Sequence, residues 1–137
     1  MPEVNDYNAQ IIEEFRASGG KLGGSFEGAP VLLLTTVGAK SGKTRVNPMM
    51  YLDEGGRRYV FASKAGAPTN PDWFHNLVAH PEVSIEVGAD TIDVLATRVE
   101  ESERDRIYGI QASRFPGFAE YQEKTDRVIP VIALDPR

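Results

Sequence analysis

The stretch VLLLTTVGAKSGKTRVNPMMYL, from Val31 to Leu52, constrains the fold more than any other part of the chain. An apolar, β-branched run meets a glycine-flanked loop and then a second run, the pattern of an antiparallel hairpin. The loop places Lys40, Lys43 and Arg45 within six positions of a chain whose formal net charge is −5. A protein negative in bulk and positive at one hairpin has two readings, an anion site or a solvated tip where lysine and glycine are common. Pro48 in the second run has no N–H to give to a ladder, which predicts an edge, a bulge or a break there.

With 137 residues the sequence suits one domain, 1–137, with an N-terminal helix over 1–20 and a barrel core over 31–137. Its acidic balance argues against a nucleic-acid binder, which needs a broad basic face. The absence of cysteine removes disulfides, thiolate nucleophiles and cysteine metal sites. His75 and His80 lie five positions apart, off a common helical face, so no metal site is expected. The start, MPEVNDYNAQII, lacks the basic and apolar regions of a signal peptide, and no apolar run is long enough to cross a bilayer. A cytoplasmic protein is expected.

Helical spacing of Tyr7, Ile11, Ile12 and Phe15 predicts a helix over Asn5–Ala17, ended by Ser18-Gly19-Gly20. It is read as a lid on the barrel; the alternative is a peripheral contact with the inner face of the cell membrane, against which its acidic polar face counts. Strands are expected at Val31–Val37, Arg45–Leu52, Arg58–Ser63, Val83–Val87, Thr91–Leu95 and Val128–Leu134. Asn70 is predicted to cap a short helix over Asp72–Ala79, and Ser102 to open another ending at Arg114. A further helical piece starts at Pro116. Closely spaced hairpins with a few helices predict an α+β, mainly antiparallel domain built on a small closed or split β-barrel.

Two further segments could carry chemistry. Phe61-Ala62-Ser63-Lys64 ends a strand, and a loop of small residues leads to Asp72-Trp73-Phe74-His75-Asn76. Small residues let a flat ligand approach the backbone, with Trp73 as a wall; equally, a Trp-Phe pair on a short helix serves as core. Phe115, Phe118 and Tyr121 recur at three-residue spacing and would either pack a helix pair or cover a planar ligand. Nucleophile elbows and metal-protease motifs are absent, so a redox reaction would rely on a cofactor.

Taken in register, LLLTTVGAKSGKTRVNPMMYL, ASKAGAPTNPDWFHNL, AHPEVSIEV, FPGFAEYQEKTDR and VIPVIALDP resemble the deazaflavin-dependent nitroreductase family, split-barrel oxidoreductases of the FMN-binding-like type that use coenzyme F420. The resemblance spans about Leu32 to Pro136. It implies that reduced F420 delivers hydride to a planar, electron-poor acceptor such as a quinone, an enone or a nitro compound. It implies that Lys40, Ser41 and Arg45, with Lys43 beside them, hold the coenzyme's phosphate and acidic tail. Val46, Asn47, Pro48, Met49 and Met50 would pass along the ring system, Phe61, Ala62, Ser63 and Lys64 would meet its edge, and Asp72, Trp73 and Asn76 would continue the cradle. Phe118 and Tyr121 would form the substrate wall. Nitroimidazole-reducing members carry a tyrosine-rich wall; here Phe115 and Phe118 lack the hydroxyls, which favours a quinone or another flat apolar acceptor. The alternatives are an FMN-dependent oxidoreductase on the same fold and a non-enzymatic carrier of F420 or lipid. A monomer or a homodimer fits the family.

Overall fold

In the computed structural model, residues 2–22 and 30–137 are described. Six strands close into an antiparallel barrel: β1 (Val31–Val37), β2 (Thr44–Glu54), β3 (Arg57–Phe61), β4 (Glu82–Val87), β5 (Asp90–Arg98) and β6 (Val131–Pro136), ordered β1-β2-β3-β6-β5-β4 around the wall. Four helices surround it: α1 (Pro2–Ser18), α2 (Asp72–Ala79), α3 (Glu101–Arg114) and α4 (Gly117–Glu123). None of them is long and apolar enough to cross a membrane.

The apolar run of β1 is continuous because both faces of the strand are covered. Leu32 and Leu34 point into the barrel with Val60, Ile85, Val94, Ile132 and Leu134, and α2 closes that interior with Phe74 and Leu77. Val31 and Leu33 point outward and are covered by Phe15 of α1, which is 1% exposed. The expectation that α1 packs on the barrel is met. Arg16 adds a two-pronged pair with Glu86 at 3.0 and 2.7 Å, worth at most about 1 kcal/mol at this exposure. The outer face of β3 and β6 is covered by α3 and α4, through Tyr59, Phe61, Ile107, Tyr108, Phe118 and Val131. Arg104 fastens α4 to α3, donating to Gln122 Oε1 and, at 2.9 Å, to the Ile129 carbonyl.

Some local expectations are corrected. Pro71, not Asn70, stands at the N-terminal boundary of α2, because the Asn70 amide oxygen is taken by Arg127 at 2.8 Å. Helix α3 begins at Glu101, with Glu100 at the boundary and no side-chain cap, so Ser102 lies inside it. Strand β6 starts at Val131 rather than Val128, because the Ile129 N–H is drawn off to Gln122 Oε1 at 3.1 Å.

The feature that positions the site is a parting of two strands. β2 pairs with β3 only from Tyr51 to Glu54, whereas it pairs with β1 over Thr44–Met50. The barrel therefore opens between the first half of β2 and the end of β3. Pro48 lies in this half, where β2 has a neighbour on one side only. Proline in a strand is tolerated on such an edge.

Candidate active site: a basic loop and an apolar cleft joined by one strand

The loop between β1 and β2 is folded by its own polar groups. Gly38 N–H donates to the Lys43 carbonyl at 2.8 Å, Gly42 N–H to the Gly38 carbonyl at 3.0 Å, and Lys43 N–H to Ser41 Oγ at 3.1 Å. A Cβ at Gly38 would lie 2.4 Å from Ser41 Oγ and would turn that hydroxyl away from its place in the loop. Gly42 takes φ +71°, a left-handed conformation that glycine adopts without strain. The loop is fixed from behind by Asn76 of α2, whose Oδ1 accepts the Ala39 N–H at 2.9 Å and whose Nδ2 donates to Thr36 Oγ1 at 3.0 Å.

Lys40, Lys43 and Arg45 are exposed, and none pairs with a carboxylate among the described residues. The carboxylates that do pair lie elsewhere, on Arg16, Arg57, Arg104, Arg106, Arg114 and Arg137. In an acidic protein such a group of unpartnered cations leaves a local positive field open to an anion. The Arg57–Asp135 pair shows the contrast: Arg57 donates at 2.8 and 2.9 Å, and its hydrogen bonds hold the Asp135 carboxyl below the usual range.

From the loop, β2 runs along the opening into a cleft of about 220 Å³ lined by Met49, Met50, Phe61, Ser63, Lys64, Pro71, Trp73, Phe118 and Tyr121. The Tyr51 N–H donates to the Pro30 carbonyl at 3.1 Å, on the β1 side. Antiparallel strands alternate the direction of their polar groups, so Val46, Pro48 and Met50 direct theirs toward the opening. Pro48 has no N–H to leave unpaired there. The cleft thus has largely apolar walls with Ser63 and Lys64 among them, a polar strand edge, and a cationic loop about 13 Å away, the length of four extended residues.

The far wall is a ring cluster. Phe118 meets Phe61 at 5.5 Å and Tyr121 at 5.4 Å between ring centroids, edge to face. Tyr108 supports it from behind, donating its hydroxyl to the Phe118 carbonyl at 2.6 Å; burial pushes this phenol up to about 12. Gly66, at φ +80°, packs against α4 so closely that a Cβ would sit 2.7 Å from the Tyr121 carbonyl oxygen. That contact fixes Tyr121 against the turn at Lys64–Gly66.

The residues expected from the sequence are thus gathered in two groups. Lys40, Ser41, Lys43 and Arg45 form the loop end; Met49, Met50, Phe61, Ser63, Lys64, Trp73, Phe118 and Tyr121 line the cleft. Seven are placed otherwise. Asn47, Pro48 and Asp72 do not line the cleft, and Val46 packs on the cluster that Phe15 of α1 forms with Val31 and Leu33. Phe115 does not line the cleft but packs on the cluster between α3 and the barrel. Asn76 is 7% exposed with both ends of its amide engaged, so it supports the loop from behind. Ala62 is fully buried in the barrel interior. Arg127, which the sequence reading passed over, reaches the carbonyls of Ala62, Ser63 and Ala67. Its Asp-Arg context reads as a surface turn, and nothing local signals a contact more than fifty residues away. Among the described residues no cluster of three or more His, Asp or Glu could hold a metal. A second groove of about 210 Å³, where Arg98 stands over the Phe74 ring at 5.6 Å, contains none of these residues.

A closed antiparallel barrel, opened between two strands onto an apolar cleft, defines the class: a split barrel with a cleft suited to a flat ligand. The chain belongs to the F420H(2)-dependent quinone reductase family, whose sequence profile matches residues 9–136. It is 37% identical over 127 residues to an F420H(2)-dependent quinone reductase of Mycobacterium tuberculosis, covering 90% of this chain and 85% of that protein. Among solved structures it is similar to an F420-H2 dependent reductase, FDR-A, with a TM-score of 0.70 and 42% identity over 77% of this chain and 94% of that one. It is also similar to a domain-swapped dimer, with a TM-score of 0.72 and 36% identity over 98% of each chain.

Proposed function

We propose that this protein uses reduced coenzyme F420 to reduce quinones and related planar, electron-poor acceptors. The observation that carries the reading is the course of β2, which leaves a loop of three cations with no carboxylate partner among the described residues and runs with an open edge into an apolar cleft. Those features suit a group that is anionic at one end and flat at the other. Lys40, Lys43 and Arg45 would hold the phosphate and acidic tail, Arg45 by paired hydrogen bonds and the lysines as mobile charges. Ser41 shapes the loop and leaves its hydroxyl exposed to the same oxygens. Val46 to Met50 would run along the ring system, with Met49, Met50 and Trp73 as its apolar contacts and Ser63 and Lys64 at its polar edge. Asn76 acts from α2 by fixing the loop.

When bound, the reduced deazaflavin supplies a hydride equivalent to the acceptor. The chain's residues do the rest. The loop binds remotely, so that orientation in the cleft is set by binding energy far from the reacting ring. Phe61, Trp73 and Phe118 exclude water and limit the acceptor to flat, apolar shapes. Ser63 and Tyr121 line the cleft, and their hydroxyls are the groups that would pass a proton to an acceptor oxygen. With phenylalanine at position 118, the wall offers few donors to a nitro group, which ranks quinones and enones above nitro compounds. In this reading α1 is a brace on the barrel, with Phe15 committed to Val31 and Leu33 of β1.

The test is oxidation of reduced F420, followed by absorbance, across quinones, enones and nitro compounds. Turnover with quinones is expected. Binding of F420 with no turnover across the panel would favour a carrier and overturn the enzymatic reading.

A further inference from the structure

Arg127 lies just before β6 and outside the cleft lining, yet its guanidinium organises the cleft's rim. Nε donates to the Ala67 carbonyl at 2.9 Å, Nη1 to the Ala62 carbonyl at 3.0 Å and to Asn70 Oδ1 at 2.8 Å, and Nη2 to the Ser63 carbonyl at 2.8 Å. These partners span the whole connection from the end of β3 to the start of α2. Burial works against the charge, and no carboxylate among the described residues pairs with it.

The segment it holds is strained. Lys64 has φ +45°, the one described residue other than glycine with positive φ. Such a conformation costs a lysine free energy and persists only where its surroundings impose it. Arg127 bonds the carbonyls of the two residues immediately before Lys64 and that of Ala67 after it. The Ala62–Ser63 and Ser63–Lys64 peptides are trans. Across a trans peptide the N–H points opposite to the carbonyl, so the Ser63 and Lys64 N–H groups face away from Arg127. Among the described residues neither N–H has an acceptor, and both residues line the cleft. A guanidinium bonded to each carbonyl polarises the peptide beyond it and strengthens that N–H as a donor.

We propose that Arg127 is a positioning residue: it holds the rim at Ala62–Asn70 in its strained form and, through two peptide groups, biases the cleft toward the ionised form of a planar ligand. The inference rests on the F420 reading above and specifies how the ring end is recognised. The 8-hydroxyl of the deazaflavin is a phenol conjugated through the fused rings to the ring carbonyls. Its ionisation spreads negative charge over the polar edge and shifts the visible absorption, which makes it a reporter of the field.

The experiment titrates oxidised F420, bound to the full-length protein, by absorbance against pH. It compares the natural protein with Arg127→Gln and Arg127→Lys, with circular dichroism as the check of folding. In Arg127→Gln the ionisation constant of bound F420 should fall about tenfold, a shift of roughly one pH unit for the loss of a nearby charge. Arg127→Lys keeps the charge without the fork; its ionisation constant should stay within about threefold of the natural one while F420 affinity falls about tenfold. An unchanged ionisation constant in folded Arg127→Gln would overturn the inference and leave the F420 reading intact. If Arg127→Gln does not fold, natural affinity in Arg127→Lys overturns it. No spectral response to F420 in the natural protein would overturn both.

Discussion

The Asn76 carboxamide oxygen accepts the Ala39 N–H at 2.9 Å, so a helix of the barrel's end holds the basic loop in place. Its other end donates to Thr36, which is 1% exposed, so the pairing is made in a dry environment. Asn76→Ala should cost about 1–3 kcal/mol of stability, because it strands a loop N–H and removes a buried bond. It should also weaken binding of F420 more than binding of an analogue lacking the tail. Thermal melting and fluorescence titration with both ligands check this; equal loss for both would place the effect in the cleft instead.

Lys40→Ala and Arg45→Ala should each weaken F420 binding, and the loss should grow with the number of glutamates on the tail. Because both side chains are exposed, added salt should diminish the difference between natural and variant proteins. Affinities measured between low and high ionic strength decide it. Salt-independent losses would mean contacts more buried than the loop provides.

Tyr108 gives a pH prediction. Burial raises its phenol to about 12, above the ordinary 10.0, and its hydroxyl donates to the Phe118 carbonyl. The folded state therefore retains a proton that the unfolded chain releases between these values. Stability is constant with respect to this group below pH 10 and falls as pH rises from about 10 to about 12, by at most about 3 kcal/mol. Tyr108→Phe should be less stable at neutral pH by about 1 kcal/mol and show a shallower alkaline decline. Parallel denaturant titrations of both proteins from pH 8 to 11 measure it.

The aromatic wall gives a specificity prediction. Phe118→Tyr places a new hydroxyl beside Tyr121 at the cleft and should raise nitro-compound turnover relative to quinone turnover. Phe115→Tyr should leave that ratio unchanged, because position 115 packs on the cluster and does not line the cleft. Ratios of kcat/KM for one quinone and one nitroimidazole are the readout. A change in both variants alike would contradict the placement of Phe115.

Much of the fold could be read from the chain because its signals are local. The β1 run is apolar throughout since Phe15 covers one face and the barrel interior the other, and its bounds, Val31–Val37, follow from composition. Helix α2 was likewise readable at Asp72–Ala79. Its cap was not: Asn70 next to Pro71 is a strong local signal, but Arg127, distant in sequence, takes the amide oxygen. Ser102 failed as a cap for a different reason, since α3 starts one residue earlier without a side-chain bond. At the site, the basic loop and the Trp73 segment announced themselves by charge and by residue type. Arg127 and the supporting posture of Asn76 did not, since both depend on contacts that only the closed barrel creates.

Whether the cleft and loop form one coenzyme site is tested most directly by titrating the protein with F420 and with FMN and following the fluorescence of each. We expect saturable F420 binding that strengthens with tail length and weakens in Arg45→Ala, with FMN bound poorly. Tight binding of FMN with no response to F420 would contradict the account.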